Sequence, residues 1–395
     1  MNLDFNYYMP TRLIFGVGRL KKLATTRYLP GKKAFIVIGA SGAMRKNGYL
    51  DRVIEYLKQN SVETVVYDKI LPNPVSEHVD EGAGIIKENK CDFVLGLGGG
   101  STIDSSKSIA VMAVNPGKYW DYINGGTGGG KIPPNRALPI VAIPTTAGTG
   151  TEADPWTVIT KSDSYEKIGW GNDYTFPVLS IIDPELMVSL PEKTTAYTGM
   201  DAFFHAVETY LATVHQPSSD HLALEAIRLI TRYLPIAVRD GENIEVREKL
   251  AWASTEAGIC ESLSSCISHH SMEHAISAYY PNVAHGAGLV MLSVAYFSYI
   301  AQRNPDRFSD MAKAMGEDVD NIPEKKRSFA FITALKRLIK DIGLEDERLS
   351  NYGVKKGDIN KLAQNSFKTM GELYQITPVK LSLDDVVKIY ENAFA

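Results

Sequence analysis

Half of the eight histidines of this chain fall in one short window, residues 268–286, which reads SHHSMEHAISAYYPNVAHG. His270 and His274 are four residues apart, so they share one face of a predicted helix. His285 follows a proline break and can return toward the same face from the next segment. This clustering indicates a site that uses several imidazoles together.

A second predicted helix, in GMDAFFHAVE, places Asp201 and His205 on one face with the same spacing. One carboxylate with three imidazoles is a complete ligand set for a borderline divalent cation, for which Fe²⁺ and Zn²⁺ are the candidates. The alternative is that Asp201 and His205 form an ordinary helical ion pair and that the later histidines are partly buried polar residues. The clustering favours the metal site.

A glycine-rich turn offers a different chemistry in VLGLGGGSTIDSSK, residues 94–107, which reads as a strand, a turn and the start of a helix. Its three consecutive glycines let the backbone approach a ligand closely, and a helix N-terminus favours a pyrophosphate. Ser101 is predicted to cap the helix, with Asp104 completing a capping box. Ser101 also stands where the dinucleotide fingerprint has its last glycine, and a tight turn without a ligand is the alternative.

A second loop, PTTAGTGTE at residues 144–152, also follows a predicted buried strand and combines two glycines with four threonines. In open parallel sheets ligands bind beyond the carboxyl ends of the strands, so two such loops indicate one shared ligand. The alternative is a hydroxyl-rich connection that satisfies only its own backbone.

The elements that position these residues differ between the two halves of the chain. Short β-rich runs alternate with amphipathic stretches in the first half, which predicts a parallel sheet with crossover helices. The predicted strands are FIVIG (35–39), VETVVYD (62–68), FVLGLGG (93–99) and LPIVAIPTT (138–146), and the sheet is expected to continue through TVITK and SIIDP. Gly and Pro crowd residues 125–134, which predicts an exposed loop.

After Pro191 the apolar spacing becomes helical, as in ALEAIRLITRYL, so the second half is predicted to be all helical. The predicted fold class is therefore an α/β N-terminal dinucleotide-binding domain with a parallel sheet plus an all-α C-terminal domain. We expect the first domain to comprise residues 1–188 and the helical, metal-binding domain residues 189–395.

Composition excludes several classes of protein. The 395 residues carry 42 Lys+Arg against 46 Asp+Glu, a formal charge of -4, and no basic run, so nucleic acid is not an expected partner. Three cysteines without a CxxC pair fit a reducing cytoplasm, and the N-terminus lacks the pattern of a secretory signal. The most apolar stretch, residues 288–301, is too short to span a bilayer and predicts a buried helix.

Together, GGGSTID, PTTAGTGTE, GMDAFFHAVE and HxxxH followed by AHG resemble the iron-containing, or group III, alcohol dehydrogenase family, in its NADP-preferring butanol or aldehyde reductase-like branch. The resemblance spans residues 6–390. It implies a cytoplasmic homodimer or larger homo-oligomer with its active site between the two domains. The implied activity is a metal-dependent alcohol dehydrogenase or aldehyde reductase that transfers hydride between NAD(P)H and a small primary alcohol or aldehyde.

The resemblance also implies site residues. The matching metal ligands are Asp201, His205, His270 and His285, with Fe²⁺ as the metal and Zn²⁺ as a possible substitute. Asp201 and His274 are the implied catalytic residues, His274 by relaying protons near the nicotinamide. The implied contacts of the nucleotide are Gly98, Gly99, Gly100, Ser101, Asp104, Thr145, Thr146, Thr149 and Lys167. Choosing His270 over His269 rests on the four-residue step to His274, and the other four histidines are expected to be surface or structural.

Cofactor choice depends on the end of the FIVIG strand, where relatives selective for NAD carry an aspartate. This chain has Gly39 there and Ser41 nearby as a donor, which favours NADP because no carboxylate repels a 2'-phosphate. Asp68, at the end of the next strand, is the residue that could instead select NAD.

The substrate pocket is expected to include Trp156, whose bulk favours a modest primary alcohol or aldehyde over a sugar. Glu261 and Cys266 precede His270 on what is predicted to be the same helix, and a carboxylate at Glu261 would favour polar or hydroxylated substrates. Core packing is the alternative for Trp156 and Cys266. The alternative functions are a glycerol-dehydrogenase-like polyol oxidoreductase, a dehydroquinate-synthase-like metal-dependent lyase, and a nucleotide-binding regulatory protein without turnover.

Overall fold

The computed structural model describes residues 4–394, which form two compact units. The α/β unit comprises residues 9–190, and the helical unit comprises residues 4–8 together with the chain from Pro191 onward. The predicted fold class is confirmed, with a parallel sheet in the first unit and helices in the second.

The α/β unit is built on one six-stranded sheet in which every pairing is parallel. Its central strands are continuous apolar runs because both of their faces are covered. The eight strands of this unit, including a separate pair, are β1 Arg12–Phe15, β2 Lys33–Gly39, β3 Glu63–Ile70, β4 Phe93–Gly98, β5 Ile140–Pro144, β6 Thr157–Lys161, β7 Glu166–Trp170 and β8 Leu179–Ile182.

The strand order of the sheet is β1-β8-β5-β4-β2-β3. From β2 the chain moves outward to β3 and then returns to the other side of β2 at β4, so the winding direction reverses between β2 and β4. In open α/β sheets this switch point is where ligands bind. The Gly39 end of β2 and the glycine loop after β4 therefore lie at the expected ligand site of the sheet.

Helices cover both faces of the sheet and bury one apolar cluster on each. Leu50, Val53 and Leu57 of the second helix pack on one face, while Val79 and Ile109 belong to the cluster on the other. The α-helices of this unit are α1 Ala43–Lys46, α2 Tyr49–Gln59, α3 Ser76–Asn89 and α4 Gly100–Met112, and the 3₁₀ helices are Arg19–Ala24, Tyr119–Tyr122 and Pro184–Leu186.

One predicted strand lies outside the main sheet. SIIDP contributes β8 to the sheet as expected, but TVITK forms β6, which pairs antiparallel with β7 in a two-stranded ribbon. The prediction that the sheet continues through TVITK is therefore wrong. The physical reason is local, because a short turn through Tyr165 at φ 54° folds β7 back onto β6 before any crossover can form.

The helical unit contains ten α-helices among its described residues, and no strand follows β8 in the part of the chain up to residue 394. They are α5 Glu192–Leu211, α6 Pro217–Arg239, α7 Ile244–Leu263, α8 Ser268–Tyr279, α9 His285–Ala301, α10 Asp306–Ala314, α11 Arg327–Asp341, α12 Ile359–Met370, α13 Glu372–Gln375 and α14 Leu383–Phe394. Its 3₁₀ helices are Val319–Asn321, Glu324–Lys326, Leu349–Tyr352 and Lys356–Asp358.

Helix α5 packs against α6, α7 and α9, and α8 packs against α9 and α12. This arrangement surrounds α5 and α8 on several sides, which is why nearly all residues of α8 are buried. The apolar stretch at residues 288–301 lies in the largely buried helix α9, as predicted. Within residues 4–394, no helix combines the length and the apolar character needed to cross a membrane.

Candidate functional site

The glycine turn after β4 leads directly into α4, whose N-cap is Gly99 and whose first helical residue is Gly100. Neither Ser101 nor Asp104 caps this helix, so the predicted capping box is wrong. The helix begins before Ser101, which places that serine inside the first turn, where its hydroxyl donates to the Pro72 carbonyl. The N–H groups at the start of this helix, which an α-helix leaves without partners within the helix, remain a suitable site for an anion.

The two glycine-containing loops meet at the carboxyl end of the sheet. Gly98 and Pro144 are paired in register, and the Thr145 amide donates to the Gly98 carbonyl at 2.9 Å. A Cβ atom at Gly100 would lie only 2.3 Å from Thr149 Cγ2, so only glycine permits this approach. A Cβ at Gly99 would lie 3.2 Å from Thr146. The threonines predicted to share a ligand with the glycine turn are thus in contact with it.

Asp104 connects helix α4 to the second loop and to the ribbon. Its carboxylate accepts from the Thr151 hydroxyl at 2.7 Å and from the Val158 amide at 2.9 Å, and the residue is buried. This position, one turn into α4, gives Asp104 a supporting contact with the loop that carries Thr149. The structure brings the two loops together partly through this carboxylate.

Lys107, which the sequence reasoning missed, completes the same anchor. Its ammonium group is fully buried and shares its three N–H donors among four acceptors. These are the Thr151 hydroxyl at 2.6 Å, the Asp154 carboxylate at 3.0 Å and the carbonyls of Asp154 and Trp156 at 2.9 and 2.7 Å. The available signal was a lysine three residues after Asp104, on a predicted helix that is otherwise composed of small polar and apolar residues. Trp156 itself is 38% exposed.

The remaining predicted nucleotide residues lie around the same edge of the sheet or on the ribbon. Gly39 ends β2, and a Cβ there would lie 3.8 Å from the Thr102 hydroxyl of α4. Ser41 follows and is exposed, while Asp68 pairs with Arg45 at 2.9 Å. Lys167 lies on β7 opposite Thr160 and is buried.

In the helical unit, three helices bring the predicted metal ligands together. α5 carries Asp201 and His205, α8 carries His270, and His285 is the first residue of α9. The ligand atoms of these four residues all lie within 4.8 Å of one another. His269 points elsewhere, since its two ring nitrogens contact Glu208 and the Leu289 carbonyl.

The geometry of this cluster fits a single cation. Asp201 Oδ1 lies 3.7 Å from His205 Nε2, 3.8 Å from His270 Nε2 and 3.4 Å from His285 Nε2. Donors bound at 2.0–2.2 Å around a tetrahedral ion are separated by about 3.3–3.6 Å. Within the described residues, Asp201 Oδ1 and His270 Nε2 are buried without a hydrogen-bond partner, which is costly unless another group satisfies them.

Buried carboxylates that the sequence reasoning missed orient two of the imidazoles. Glu208 accepts from His270 Nδ1 at 2.6 Å, and Glu273 contacts His285 Nδ1. With Nδ1 engaged, each ring turns its Nε2 toward Asp201, which is the usual arrangement of metal-binding histidines. Glu208 stood three residues after His205 in the same motif, and Glu273 adjoined His274, but their roles depend on helix packing.

The carboxylates and imidazoles of the cluster shift one another's pKa values toward the charged forms. Burial raises the pKa of Asp201, but the surrounding imidazoles outweigh burial and lower it to about 2. Burial lowers the pKa of His205, but the Glu261 and Asp201 carboxylates raise it to about 9. A cation that binds His205 would have to displace this proton, so we expect any metal binding there to be favoured as pH rises toward 9.

The predicted relay and pocket residues lie beside this cluster. The ring of His274 is 5.3 Å from that of His285, and its Nδ1 lies 2.8 Å from Met370 Sδ. Glu261 Oε1 lies 2.9 Å from His205 Nε2, and the Cys266 thiol donates to Glu261 at 3.4 Å. The expectation that Glu261 and Cys266 share a helix with His270 is wrong.

Helix α7 ends at Leu263, and α8 begins at Ser268, so Cys266 lies in the connection between them. Glu261 thus reaches the cluster from the end of a different helix than the one that carries His270. The chain turns between the two helices, which is a step that helical periodicity alone does not reveal.

Comparisons with known proteins agree with this architecture. Residues 10–184 match the family model of iron-containing alcohol dehydrogenase, and residues 195–394 match the C-terminal model of the Fe-containing alcohol dehydrogenase family. The chain is 34% identical over 391 residues to the NAD-dependent methanol dehydrogenase of Bacillus methanolicus, covering 98% of this chain and 99% of that protein.

A second relative, the 1,3-propanediol dehydrogenase of Klebsiella pneumoniae, is 34% identical and is covered over 99% of both chains. Among solved structures, an archaeal halo-thermophilic alcohol dehydrogenase from a Red Sea brine pool superposes with a TM-score of 0.93 at 36% identity and covers 100% of both chains.

The doubly wound sheet and the helical unit, with these matches, define a dehydrogenase of the oxidoreductase class. The chain belongs to the iron-containing alcohol dehydrogenase family. It is an alcohol dehydrogenase or aldehyde reductase, as predicted, and the matches favour this function over the glycerol-dehydrogenase-like and dehydroquinate-synthase-like alternatives.

Proposed function

We propose that Asp201, His205, His270 and His285 bind one divalent cation, Fe²⁺ with Zn²⁺ as a substitute, and that the enzyme uses NADP(H) to interconvert small primary alcohols and aldehydes. The observation that carries this proposal is the convergence of the four donor atoms within 4.8 Å of one another. A set of one carboxylate and three imidazoles suits a borderline cation better than Mg²⁺ or Ca²⁺.

When bound, the cation supplies a Lewis acid for the alcohol or aldehyde oxygen, and the nicotinamide accepts or donates the hydride. The chain supplies position and charge. Glu208 and Glu273 hold His270 and His285 with Nε2 toward Asp201. We assign the proton transfer to His274, whose ring lies beside that of His285.

For the nucleotide, we assign the pyrophosphate to the N-terminus of α4, where free N–H groups and the helix dipole favour an anion. Gly98, Gly99, Gly100 and Ser101 form this end, and the second loop supplies Thr145, Thr146 and Thr149. The buried Asp104 and Lys107 of α4 hold that loop in place through hydrogen bonds, so in this proposal they position the nucleotide site without contacting the nucleotide.

We assign NADP as the preferred cofactor because β2 ends in Gly39, which offers no carboxylate to repel a 2'-phosphate. Asp68, the residue that could select NAD, already pairs with Arg45 at 2.9 Å. Gly39→Asp should shift the ratio of kcat/KM for NADPH over NADH at least tenfold toward NADH, because the new carboxylate would repel a 2'-phosphate. The side chain should fit, since a Cβ at this position meets only ordinary van der Waals neighbours. Gly39→Asn is the uncharged control, and an equal shift in both variants would refute the charge argument.

The metal assignment is tested by stripping the protein with a chelator and measuring NADPH oxidation against a panel of aldehydes before and after adding Fe²⁺ or Zn²⁺. We expect turnover only after reconstitution, and we expect His270→Ala to lose metal and turnover while keeping most of its NADPH affinity. Full activity of metal-free His270→Ala protein would overturn the proposal.

Several finer assignments stay predictions. Substitution kinetics test the roles of Trp156 and Cys266 as pocket residues and of Lys167 at the cofactor. Sedimentation tests whether the protein forms a homodimer or a larger assembly. We also propose that the enzyme works in the cytoplasm, which is supported by the three free cysteines, Cys91, Cys260 and Cys266.

A further inference from the structure

An open cavity of about 360 Å³ lies in the helical unit, and the proposed function gives it no role. Helices α6 and α11 and the C-terminal end of α10 line it, so it is built from parts of one unit. None of the described residues that line it belongs to the proposed metal site or nucleotide site. Concave sites of this volume are large enough to hold a small molecule, so the lining groups indicate which kind of molecule fits.

Three arginines line this cavity, Arg228 and Arg232 from α6 and Arg337 from α11. Two of them are held by glutamates. Glu225 accepts from Arg228 through Nε at 2.7 Å and through Nη2 at 2.5 Å. Glu317 accepts from Arg337 Nη2 at 2.5 Å. Because a guanidinium group has five N–H donors in a rigid fork, these pairs restrain the two arginines and still leave most of their donors for a further acceptor.

The two remaining charges of the cavity, Arg232 and Asp341, have no ion-pair partner among the described residues. The Arg232 guanidinium contacts only the ring of Tyr233 there, at 5.3 Å from the ring centroid. Asp341 is the last residue of α11. The rest of the lining is largely apolar and includes Met315 and Leu338. A ligand that satisfies both charges therefore carries an anionic group and a cationic group on a short carbon chain.

We propose that this cavity binds a small phosphate monoester that also carries an amine. The phosphate contacts the three guanidinium groups, because its three terminal oxygens can each accept from a different arginine, whereas a carboxylate has two oxygens. The ammonium group pairs with Asp341, and the carbon chain covers the apolar part of the lining. The ligand is neither the alcohol nor the cofactor of the proposed function, so this proposal does not depend on the metal assignment.

Solvent exposure of the arginines sets the expected size of the effect. Losing a hydrogen bond to a charged group lowers affinity about 10- to 150-fold. The side chains of Arg228 and Arg337 are 46% and 52% exposed, and Arg232 is also exposed, so water screens their charges and the effect lies near the lower value. We therefore expect Arg232→Gln to weaken binding of such a ligand about tenfold.

The probe is phosphoethanolamine, and isothermal titration calorimetry of the full chain measures its affinity and stoichiometry at low ionic strength. The N-terminus of α4 also suits a phosphate, so the titration is repeated with saturating NADPH, which should leave the affinity unchanged. Arg232→Gln should fold normally, since the Arg232 side chain makes no hydrogen bond or ion pair within the described part of the chain. Arg239→Gln alters an exposed arginine of the same helix outside the lining and is the matched control, which should bind like the wild type.

A second probe, ethyl phosphate, lacks the amine and tests the role of Asp341. The wild type should bind phosphoethanolamine more tightly than ethyl phosphate, and Asp341→Asn should reduce this preference about two- to fivefold, as expected for an exposed ion pair. Several results would overturn the proposal: no binding of phosphoethanolamine, loss of its binding in the presence of NADPH, equal weakening by Arg232→Gln and Arg239→Gln, or the same preference between the two probes in the wild type and Asp341→Asn.

Discussion

The close approach of Gly100 to Thr149 allows the proposed nucleotide site of the α/β unit to be tested. Gly100 is the first residue of α4, and a Cβ atom there would lie 2.3 Å from Thr149 Cγ2 and 2.9 Å from Thr149 Oγ1. Ordinary van der Waals contact begins at about 3.4 Å, so Gly100→Ala must open the gap between the loops by about 1 Å. We expect this substitution to damage nucleotide binding.

The magnitude follows from that displacement. Overpacking of this kind typically costs about 1–3 kcal/mol, and a misplacement of about 1 Å at a site that positions a reactant can cost about 100-fold in rate. We therefore expect kcat/KM for the cofactor to fall about 10- to 100-fold in Gly100→Ala, with a matching loss of NADPH affinity. Metal content should stay at the wild-type level, because the proposed ligands belong to the helical unit.

NADPH fluorescence titration and steady-state kinetics measure this effect, and elemental analysis measures the metal. Gly84→Ala is the matched control, since Gly84 is an exposed helical glycine with no heavy atom within 4 Å of the added Cβ. That control should bind NADPH normally and gain about 0.5–1 kcal/mol of stability. Wild-type NADPH affinity in Gly100→Ala would refute the contact between the loops as the basis of the nucleotide site.

Three further predictions concern the helical unit. Glu208→Gln should weaken metal affinity about 10- to 100-fold, because the carboxylate that orients His270 is lost. Competition with a chromophoric chelator measures this affinity, and an unchanged affinity would contradict the prediction. Gly288→Ala would place a Cβ 2.7 Å from Glu273 Cγ and should also weaken metal affinity in the same assay, while normal affinity would show that Glu273 can move without consequence. Burial raises the pKa of Glu256 to about 8, so the folded protein holds this proton more tightly than the unfolded chain and loses stability as pH rises from about 4.5 to 8. Glu256→Gln cannot ionise, so urea denaturation should show it gaining on the order of 4 kcal/mol relative to the wild type between pH 5 and pH 8.5. A pH-independent difference would contradict the assignment.

Much of the fold was predictable because the signals are local. The strands β2, β4 and β5 are short apolar runs, and the helices of the second half have clear helical periodicity. The errors arose where a local pattern has two solutions. TVITK has the composition of a sheet strand, yet a tight turn pairs it with β7 in a ribbon. Ser101 has the residue type of an N-cap, yet the glycines before it allow the helix to begin earlier.

The sequence by itself determined which chemical groups were available to the proposed metal site and which of them shared a helix face. Asp201 with His205 and His270 with His274 follow from the four-residue period of a helix, which depends only on backbone geometry. The residue types also favour a borderline metal for the proposed site.

Only the tertiary structure decided what surrounds those groups. Glu208 meets His270 across 62 positions of sequence, and Glu261 meets His205 from the end of another helix. Such contacts depend on how helices pack and on where the chain turns between them, and neither is encoded in local periodicity. The same packing turned His269 away from the cluster and His270 toward it, although the two residues are adjacent in the chain.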